Sequence, residues 1–279
     1  MNRLAVLGQP ISHSLSPRMH TAAFRALGIE GEWSYEAIEL APDDFAAGVA
    51  DLRERGFVGA NVTVPHKAAA LALADRASTA ATAIGAANTL SFTATGVAAD
   101  NTDAPGLIRS LPADPRGRRA LVLGAGGAAR AAIWALVGAG AAVTVHNRTR
   151  SRAVEVAEAL GAEVSAAGPL PVEEFEIVVN ATSIGLAAAQ SGTADAGTAL
   201  KALGMDADRF TNRQVVVDLV YGAEPTELAK AANRAGATVI EGLEILIRQG
   251  AESLRIWTGL EPPVEAMRKA LQSSNDDHV

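Results

Sequence analysis

The sequence predicts an α/β protein of two domains, built on parallel sheets covered by helices. Three observations carry that prediction. Strand-like apolar runs and helix-like amphipathic stretches alternate nearly from end to end, the pattern of strand–helix–strand units. The chain has 279 residues, a length that suits two domains or one large α/β domain. A Pro-, Gly- and charge-bearing stretch, Leu111 to Arg119, resembles a linker between two such alternating regions.

Arg3 to Leu7 is an apolar strand, closed by Gly8 and Pro10. Ser16-Pro17 opens a helix to about Leu27, with Ser16 as N-cap and Pro17 at the first helical position. Trp33 to Leu40 alternates like a strand, and Pro42 to Arg55 is an amphipathic helix with Phe45, Val49 and Leu52 on one face. Ala60 to Val64 is a strand stopped by Pro65, and His66 to about Arg76 is an Ala- and Leu-rich helix. Thr89 to Phe92 and Val97 to Ala99 are two short strands around Thr95-Gly96, and a helix starts near Asp103. Past the linker come the strand Ala120 to Leu123, a glycine turn, a helix to Gly138, the strand Ala142 to His146 and the helix Ser151 to Leu160. Strands Ile177 to Val179 and Val215 to Leu219 follow, then a helix from Thr226 to Ala235. Gly242 to Trp257 is a long helix and Val264 to Leu271 a shorter one. Small, nearly uncharged residues from Ala187 to Gly197 predict a mobile loop, and Ser273 to Val279 a frayed tail.

Composition narrows the classes of function. With 49% apolar and 20% charged residues the chain has ample material for a packed core, which excludes a disordered protein. A formal charge of −7 supplies no global positive field, so neither nucleic acid nor an anionic membrane is expected as a partner. The absence of cysteine excludes disulfides, thiolate metal sites, iron–sulfur clusters and a Cys nucleophile. The apolar stretch Leu4 to Leu7 is cut too early for a signal peptide, and the uncharged window Ala77 to Ala99 is too polar to span lipid. A soluble, cytoplasmic protein is expected, with no metal.

Gly124-Ala125-Gly126-Gly127-Ala128-Ala129 directly follows an apolar strand and opens a helix, the G-x-G-x-x-A form of a dinucleotide-binding turn in its required context. Gly124 permits the tight turn, Gly126 leaves room for a pyrophosphate, and Ala129 lets helix and strand pack closely. The helix N-terminus offers free N–H groups and partial positive charge. An NAD site would place a carboxylate at the end of the second strand, about 20 residues beyond the first glycine. Here that strand ends in His146-Asn147-Arg148-Thr149, with Arg150 and Arg152 following. Cations are disfavoured at a helix start, so these arginines point to a 2′-phosphate and to NADP.

The first ~110 residues carry four polar clusters at element ends, where α/β proteins build ligand crevices. They are Ser12-His13-Ser14-Leu15-Ser16-Pro17, Asn61-Val62-Thr63-Val64-Pro65-His66-Lys67, Ala87-Asn88-Thr89 and Asp100-Asn101-Thr102-Asp103. Alternation puts Asn61 and Thr63 on one face and the valines on the other. Asn88 equally suits a turn, and Asp103 the start of a helix. Lys67 lies in the first turn of its helix, where the dipole disfavours a cation and an acid/base role is favoured.

These residues closely resemble the shikimate dehydrogenase family, NADP-dependent enzymes that interconvert 3-dehydroshikimate and shikimate. The likeness runs from Gly8 to about Gly259. It takes in the clusters above, Gly85-Ala86-Ala87-Asn88-Thr89, the glycine turn and Asn147-Arg148-Thr149, then Asn180-Ala181-Thr182-Ser183, Asp218-Leu219-Val220-Tyr221 and Trp257-Thr258-Gly259. The resemblance implies that Ser14 and Ser16 hold a substrate carboxylate and that Thr63, Asn88 and Asp103 hold its hydroxyls, with Asn61, in the same motif, also counted among the substrate-binding residues. It implies Lys67 as the acid/base group, Asp103 as its partner, and Tyr221 and Gln249 as further substrate contacts. Gly124 to Ala128, Asn147, Arg148, Thr149, Arg152 and Thr182 fall in its coenzyme motifs, and Leu219 and Gly242 match positions near the nicotinamide. The sequence departs from the family pattern at Ala104-Pro105, Ala223 and Pro225, and Ile184 and Leu186.

The expected architecture is therefore a substrate-binding domain of residues 1–103, completed by helices in 241–279, and a Rossmann-like NADP-binding domain of residues 104–240. The active site is expected in the cleft. The expected partner is a small-molecule substrate, and a homodimer is left open. The rival readings are an NAD-using quinate/shikimate dehydrogenase and a non-catalytic NADP-binding regulatory protein on the same fold.

Overall fold

The structure is a computed structural model and describes residues 1–186, 189, 198–222 and 224–272. The chain forms two compact units. One holds Met1–Gly106 with the C-terminal segment from Leu246, and the other is Leu107–Ile245. The loop expected over Ala187 to Gly197 (Ala189 apart) and the tail Ser273 to Val279 lie outside the described residues.

The first unit contains β1 (Asn2–Gly8), α1 (Ser16–Leu27), β2 (Trp33–Glu39), α2 (Phe45–Glu54), β3 (Phe57–Val62) and α3 (Lys67–Ala72). It continues with β4 (Arg76–Ala77), α4 (Thr79–Ile84), β5 (Thr89–Thr93) and β6 (Gly96–Asp100), and α5 (Asp103–Ser110) leads out of it. Its six strands run in the order β2-β1-β3-β5-β6-β4. β1 is parallel to β2 and β3, but β5 is antiparallel to both β3 and β6. The sheet is thus mixed, not parallel throughout. The reason is local: two residues connect Thr93 to Gly96, and only an antiparallel pair can be joined so tightly. Phe45, Val49 and Leu52 are buried against Leu7, Phe57, Ala60 and Leu90, the face that the spacing predicts.

Three local expectations need correction. Helix α1 begins at Ser16 itself, and no side chain caps it from the preceding residue, Leu15. The buried Ser16 hydroxyl turns to the Tyr35 phenol, and Ser14 Oγ accepts the Ser16 N–H at 3.3 Å instead. Strand β3 lies earlier than expected and ends before Thr63. The helix after Pro65 is short, because the chain leaves it for the two-residue strand β4 and restarts at α4, where Ser78 Oγ accepts the Ala81 N–H at 3.2 Å.

The second unit contains β7 (Arg119–Leu123), α6 (Gly127–Gly138), β8 (Ala142–His146), α7 (Arg150–Leu160), β9 (Glu163–Val164) and β10 (Ile177–Asn180). α8 (Thr198–Ala202), β11 (Val215–Asp218), α9 (Glu227–Arg234) and β12 (Thr238–Glu241) complete its sheet and cover. All its strand pairs are parallel, in the order β12-β11-β10-β7-β8-β9. From β7 the chain winds outward through β8 and β9, then returns to β10 on the other side. That reversal opens a crevice beyond the carboxyl ends of β7 and β10, where such sheets bind dinucleotides. Helices cover both faces, so Ile177 to Val179 and Val215 to Val217 are buried and read as unbroken apolar runs. The chain then enters α10 (Gly242–Thr258) and α11 (Val264–Gln272). Both boundaries between the units fall inside helices, α5 and α10. No helix of the described residues is long and apolar enough to cross a membrane.

One core residue makes stability depend on pH. His20 of α1 is fully buried, its ring stacked on Tyr35 at 4.2 Å between centroids, and neither ring nitrogen has a hydrogen-bond partner among the described residues. Burial lowers its pKa from 6.5 to about 3. A depressed folded-state pKa means stability that is fully present above pH 6.5 and is lost as pH falls toward 3. By pH 5 this one group removes about 2 kcal/mol. The urea midpoint of His20→Phe should therefore fall less than that of the parent between pH 7 and pH 5. Equal falls in the two proteins would show that His20 is not the acid-labile group.

Candidate active site

In the first unit the polar residues converge at the start of α3 and α5. The Thr63 N–H donates to the Leu7 carbonyl and the His66 N–H to the Thr63 carbonyl, both at 2.9 Å, closing the turn that sets Lys67 at the head of α3. His66 anchors that turn: its buried ring stacks on Phe45 at 4.5 Å and its Nε2 lies 2.8 Å from the Leu40 carbonyl oxygen. The Lys67 carbonyl accepts the Ala87 N–H at 2.9 Å, tying α3 to the segment before Asn88.

Lys67 Nζ lies 2.6 Å from Asp103 Oδ2, and each side chain keeps 16% of its exposure. The pair is thus shielded but open on one side. Asn101 Oδ1 accepts the Ala104 N–H at 3.3 Å, so Asn101 serves the start of α5 while the Asp103 carboxylate faces Lys67. Asn88 Nδ2 donates to Asp103 Oδ1 at 2.9 Å and reaches Thr102 Oγ1 at 2.9 Å and Gln249 Oε1 at 3.2 Å. The Thr102 N–H donates to Asn88 Oδ1 at 2.8 Å, which fixes the way the amide points. Gln249 is buried on α10, and its Nε2 donates back to the Leu246 carbonyl at 2.8 Å. An ammonium, a carboxylate and two oriented amides thus meet at one place, a set suited to proton transfer at an oxygen whose neighbours bear hydroxyls.

Beneath this set lies a buried layer, in which sequence reasoning missed Ser253 and Tyr35. The hydroxyls of Thr89, Thr102 and Ser253 form a buried triangle with sides of 2.9, 3.1 and 3.2 Å. Asn61 Nδ2 donates to Ser253 Oγ at 2.8 Å, and the Tyr35 hydroxyl donates to Asn61 Oδ1 at 2.7 Å. Asn61 therefore does not share an open polar face with Thr63: both ends of its amide are bonded inside the protein, and it supports the site from below. A buried polar layer is tolerable only when satisfied in this way.

In the second unit, Gly124 takes φ +113°, and a Cβ there would sit 2.9 Å from the Ala181 carbonyl oxygen. The glycine turn thus lies against the segment that follows β10. Nothing lies within 4 Å of a Cβ built on Gly126, and no side chain caps α6 there, so its first N–H groups remain available to a phosphate. Gly124→Ala combines a strained backbone, costing about 1–3 kcal/mol, with a clash against fixed backbone. It should weaken coenzyme binding and lower the unfolding temperature together. Unchanged nucleotide affinity in that variant would separate the turn from the site.

At the end of β8 the described residues offer no carboxylate to a ribose. Arg148 and Arg152 are exposed, and Asn147 Nδ2 donates to the Thr149 carbonyl at 3.0 Å. Arg150 differs from its neighbours: its guanidinium donates to the Ser165 carbonyl at 2.8 Å. These residues fit a coenzyme carrying a 2′-phosphate. On the other side of β7, Asn180 Oδ1 accepts from the Thr182 N–H at 3.1 Å and from the Thr182 hydroxyl at 2.7 Å. Gly242 opens α10 so close to Leu219 that a Cβ would lie 2.8 Å from the Leu219 carbonyl oxygen. The Tyr221 side chain is half-buried, and that burial raises its pKa from the ordinary tyrosine value.

Comparison with known proteins places matches along nearly the whole chain. The family described as "Shikimate dehydrogenase substrate binding domain" matches residues 6–90, "Shikimate / quinate 5-dehydrogenase" residues 108–221, and "Shikimate 5'-dehydrogenase C-terminal domain" residues 242–272. The chain is 41% identical over 282 residues to a protein of Geobacter metallireducens named "Shikimate dehydrogenase (NADP(+))", covering 95% of this chain and 94% of that one. A protein of the same name from Acidiphilium cryptum is 42% identical over 272 residues, covering 94% and 93%. Among solved structures, the shikimate 5-dehydrogenase of Thermus thermophilus in complex with NADP(H) and shikimate matches with a TM-score of 0.86. It is 39% identical, covering 98% of this chain and 100% of that one.

Proposed function

Because the chain belongs to the shikimate dehydrogenase family, we propose that it reduces 3-dehydroshikimate to shikimate with NADPH, and runs the reverse oxidation, using Lys67 as its acid/base group. The observation that carries this reading is the 2.6 Å pair of Lys67 and Asp103, joined through Asn88 to Gln249. Residues 1–103 with 241–279 form the substrate-binding part, and residues 104–240 the coenzyme-binding part.

NADPH, when bound, supplies the reducing equivalent to the ring ketone. Gly124 to Ala128 and the N-terminus of α6 would hold its pyrophosphate. Asn147, Arg148, Thr149 and Arg152 would hold its 2′-phosphate, and Thr182, Leu219 and Gly242 its nicotinamide end. Ser14 binds the substrate carboxylate through its hydroxyl, and Ser16 joins it when its own hydroxyl turns from Tyr35 to the ligand. Thr63, Asn88, Tyr221 and Gln249 orient the ring through its hydroxyls. The Lys67 ammonium donates a proton to the ketone oxygen, and in the oxidation the neutral amine takes the proton back. Asp103 keeps the ammonium in place and accepts a hydrogen bond from a substrate hydroxyl.

The test is the nicotinamide absorbance of NADP incubated with shikimate and the full chain, repeated with quinate and with NAD. Reduction of NADP by shikimate is the expected result. Turnover of quinate with NAD in preference would favour the rival dehydrogenase. No turnover with any pair, alongside NADP binding, would leave a coenzyme-binding protein only.

A further inference from the structure

The mechanism above leaves a buried carboxylate unused. Asp218 ends β11 with 1% of its surface exposed, and its nearest strand partners are Asn180 on β10 and Glu241 on β12. We infer that Asp218 is a positioning residue for the coenzyme, its carboxylate locking together the chain segments that carry Thr182, Leu219 and Tyr221. The inference rests on the coenzyme reading proposed above.

Each hydrogen bond to the carboxylate comes from a different place in the chain. Asn180 Nδ2 donates to Asp218 Oδ1 at 2.9 Å. The Val220 N–H donates to the same oxygen at 3.2 Å. The Thr226 hydroxyl donates to Oδ2. The donors are committed in this direction. Asn180 Oδ1 already accepts from the Thr182 N–H and hydroxyl, so the NH2 end must face Asp218. Thr226 Oγ1 already accepts the Ala229 N–H as the cap of α9, so its proton points away from the helix and toward Asp218.

A carboxylate is the one side chain of this size that accepts all three without offering a proton in return. Burial disfavours its charge, and the exposed Glu241 adds to that. The three donors and the N-terminus of α9 oppose both. The consequence reaches the coenzyme crevice by two routes. Through Asn180 the carboxylate sets Thr182 and the Ala181 carbonyl, which abuts Gly124. Through Val220 it sets the backbone between Leu219 and Tyr221, and Leu219 in turn packs on Gly242.

The experiment measures NADPH affinity by its fluorescence on the full chain, and the Michaelis constant for shikimate, in four proteins. These are the parent, Asp218→Asn, Asn180→Asp, and the exchanged pair carrying both substitutions. The parent must bind NADPH; if it does not, the coenzyme reading itself fails, independently of Asp218. Asp218→Asn sets its own NH2 against a donor, so its NADPH dissociation constant should rise about tenfold or more. Its shikimate constant at saturating NADPH should rise by a smaller factor, because Tyr221, whose backbone the Val220 bond helps to set, is one of several contacts assigned to the substrate ring. The exchanged pair restores an amide facing a carboxylate, and should recover part of the lost affinity, which a general loss of packing would not allow. Parent-like NADPH affinity in Asp218→Asn would overturn the inference. So would a folded exchanged pair that binds no better than the single variants, and that arm decides the matter even if Asp218→Asn alone does not fold.

Discussion

Lys67→Ala should lower turnover by about two to four orders of magnitude, the usual contribution of an acid/base group, while shikimate binds nearly as well as before. The split follows from where the ammonium sits. It lies 2.6 Å from Asp103, with the carboxylate also held by Asn88, so the residues assigned to hold the substrate hydroxyls survive the truncation. What disappears is the group that hands a proton to the ketone oxygen, an interaction made in the transition state and not in the ground state. Lys67→Arg sharpens the test. Its guanidinium can keep an ion pair with Asp103 but does not release a proton at any accessible pH, so it should rescue folding and not turnover. Near-parent turnover in either variant would remove Lys67 from the mechanism. Asp103→Asn should lose less than Lys67→Ala, because it leaves the ammonium present but less firmly held.

How much of this was legible beforehand depended on the range of the interactions. Phe45, Val49 and Leu52 announce a buried helix face by their spacing alone, and Ile177 to Val179 a doubly covered strand. The glycine turn is legible because strand, turn and helix are contiguous. Strands β4 and β9 escape notice because two residues carry no periodicity, and their pairing with β6 and β8 is decided by the sheet. Ser16 is misread as a cap because the competing partner, Tyr35, is a long-range contact that local chemistry does not reveal. The same holds beneath the site: Asn61 reaches Ser253 across 192 positions. A weak signal did exist there, since Ser253 stands one helical turn after Gln249 and so shares its face. Asp218 could have been flagged as a carboxylate closing an apolar strand, but its three donors come from separate segments.

Arg148→Asp should raise the Michaelis constant for NADP about tenfold or more, with little penalty or a gain for NAD. An Arg–phosphate hydrogen bond contributes about 1.5–3 kcal/mol. Because Arg148 is exposed, the lower end of that range applies, which is still near tenfold. The introduced carboxylate then repels the 2′-phosphate and offers an acceptor to a ribose 2′-hydroxyl, so the two coenzymes move in opposite directions. Arg152→Ala should give a smaller loss of the same sign, since it removes attraction without adding repulsion. Arg150 supplies the internal control. Its guanidinium is already bonded to the Ser165 carbonyl, so Arg150→Ala should disturb the start of α7 but barely alter the ratio of NADP to NAD constants. The effects of Arg148 and Arg152 should also shrink as salt is added, since exposed charges are screened over about 8 Å at physiological ionic strength. An NADP constant unmoved by Arg148→Asp, or moved as far by Arg150→Ala, would mean that the 2′-phosphate is held elsewhere.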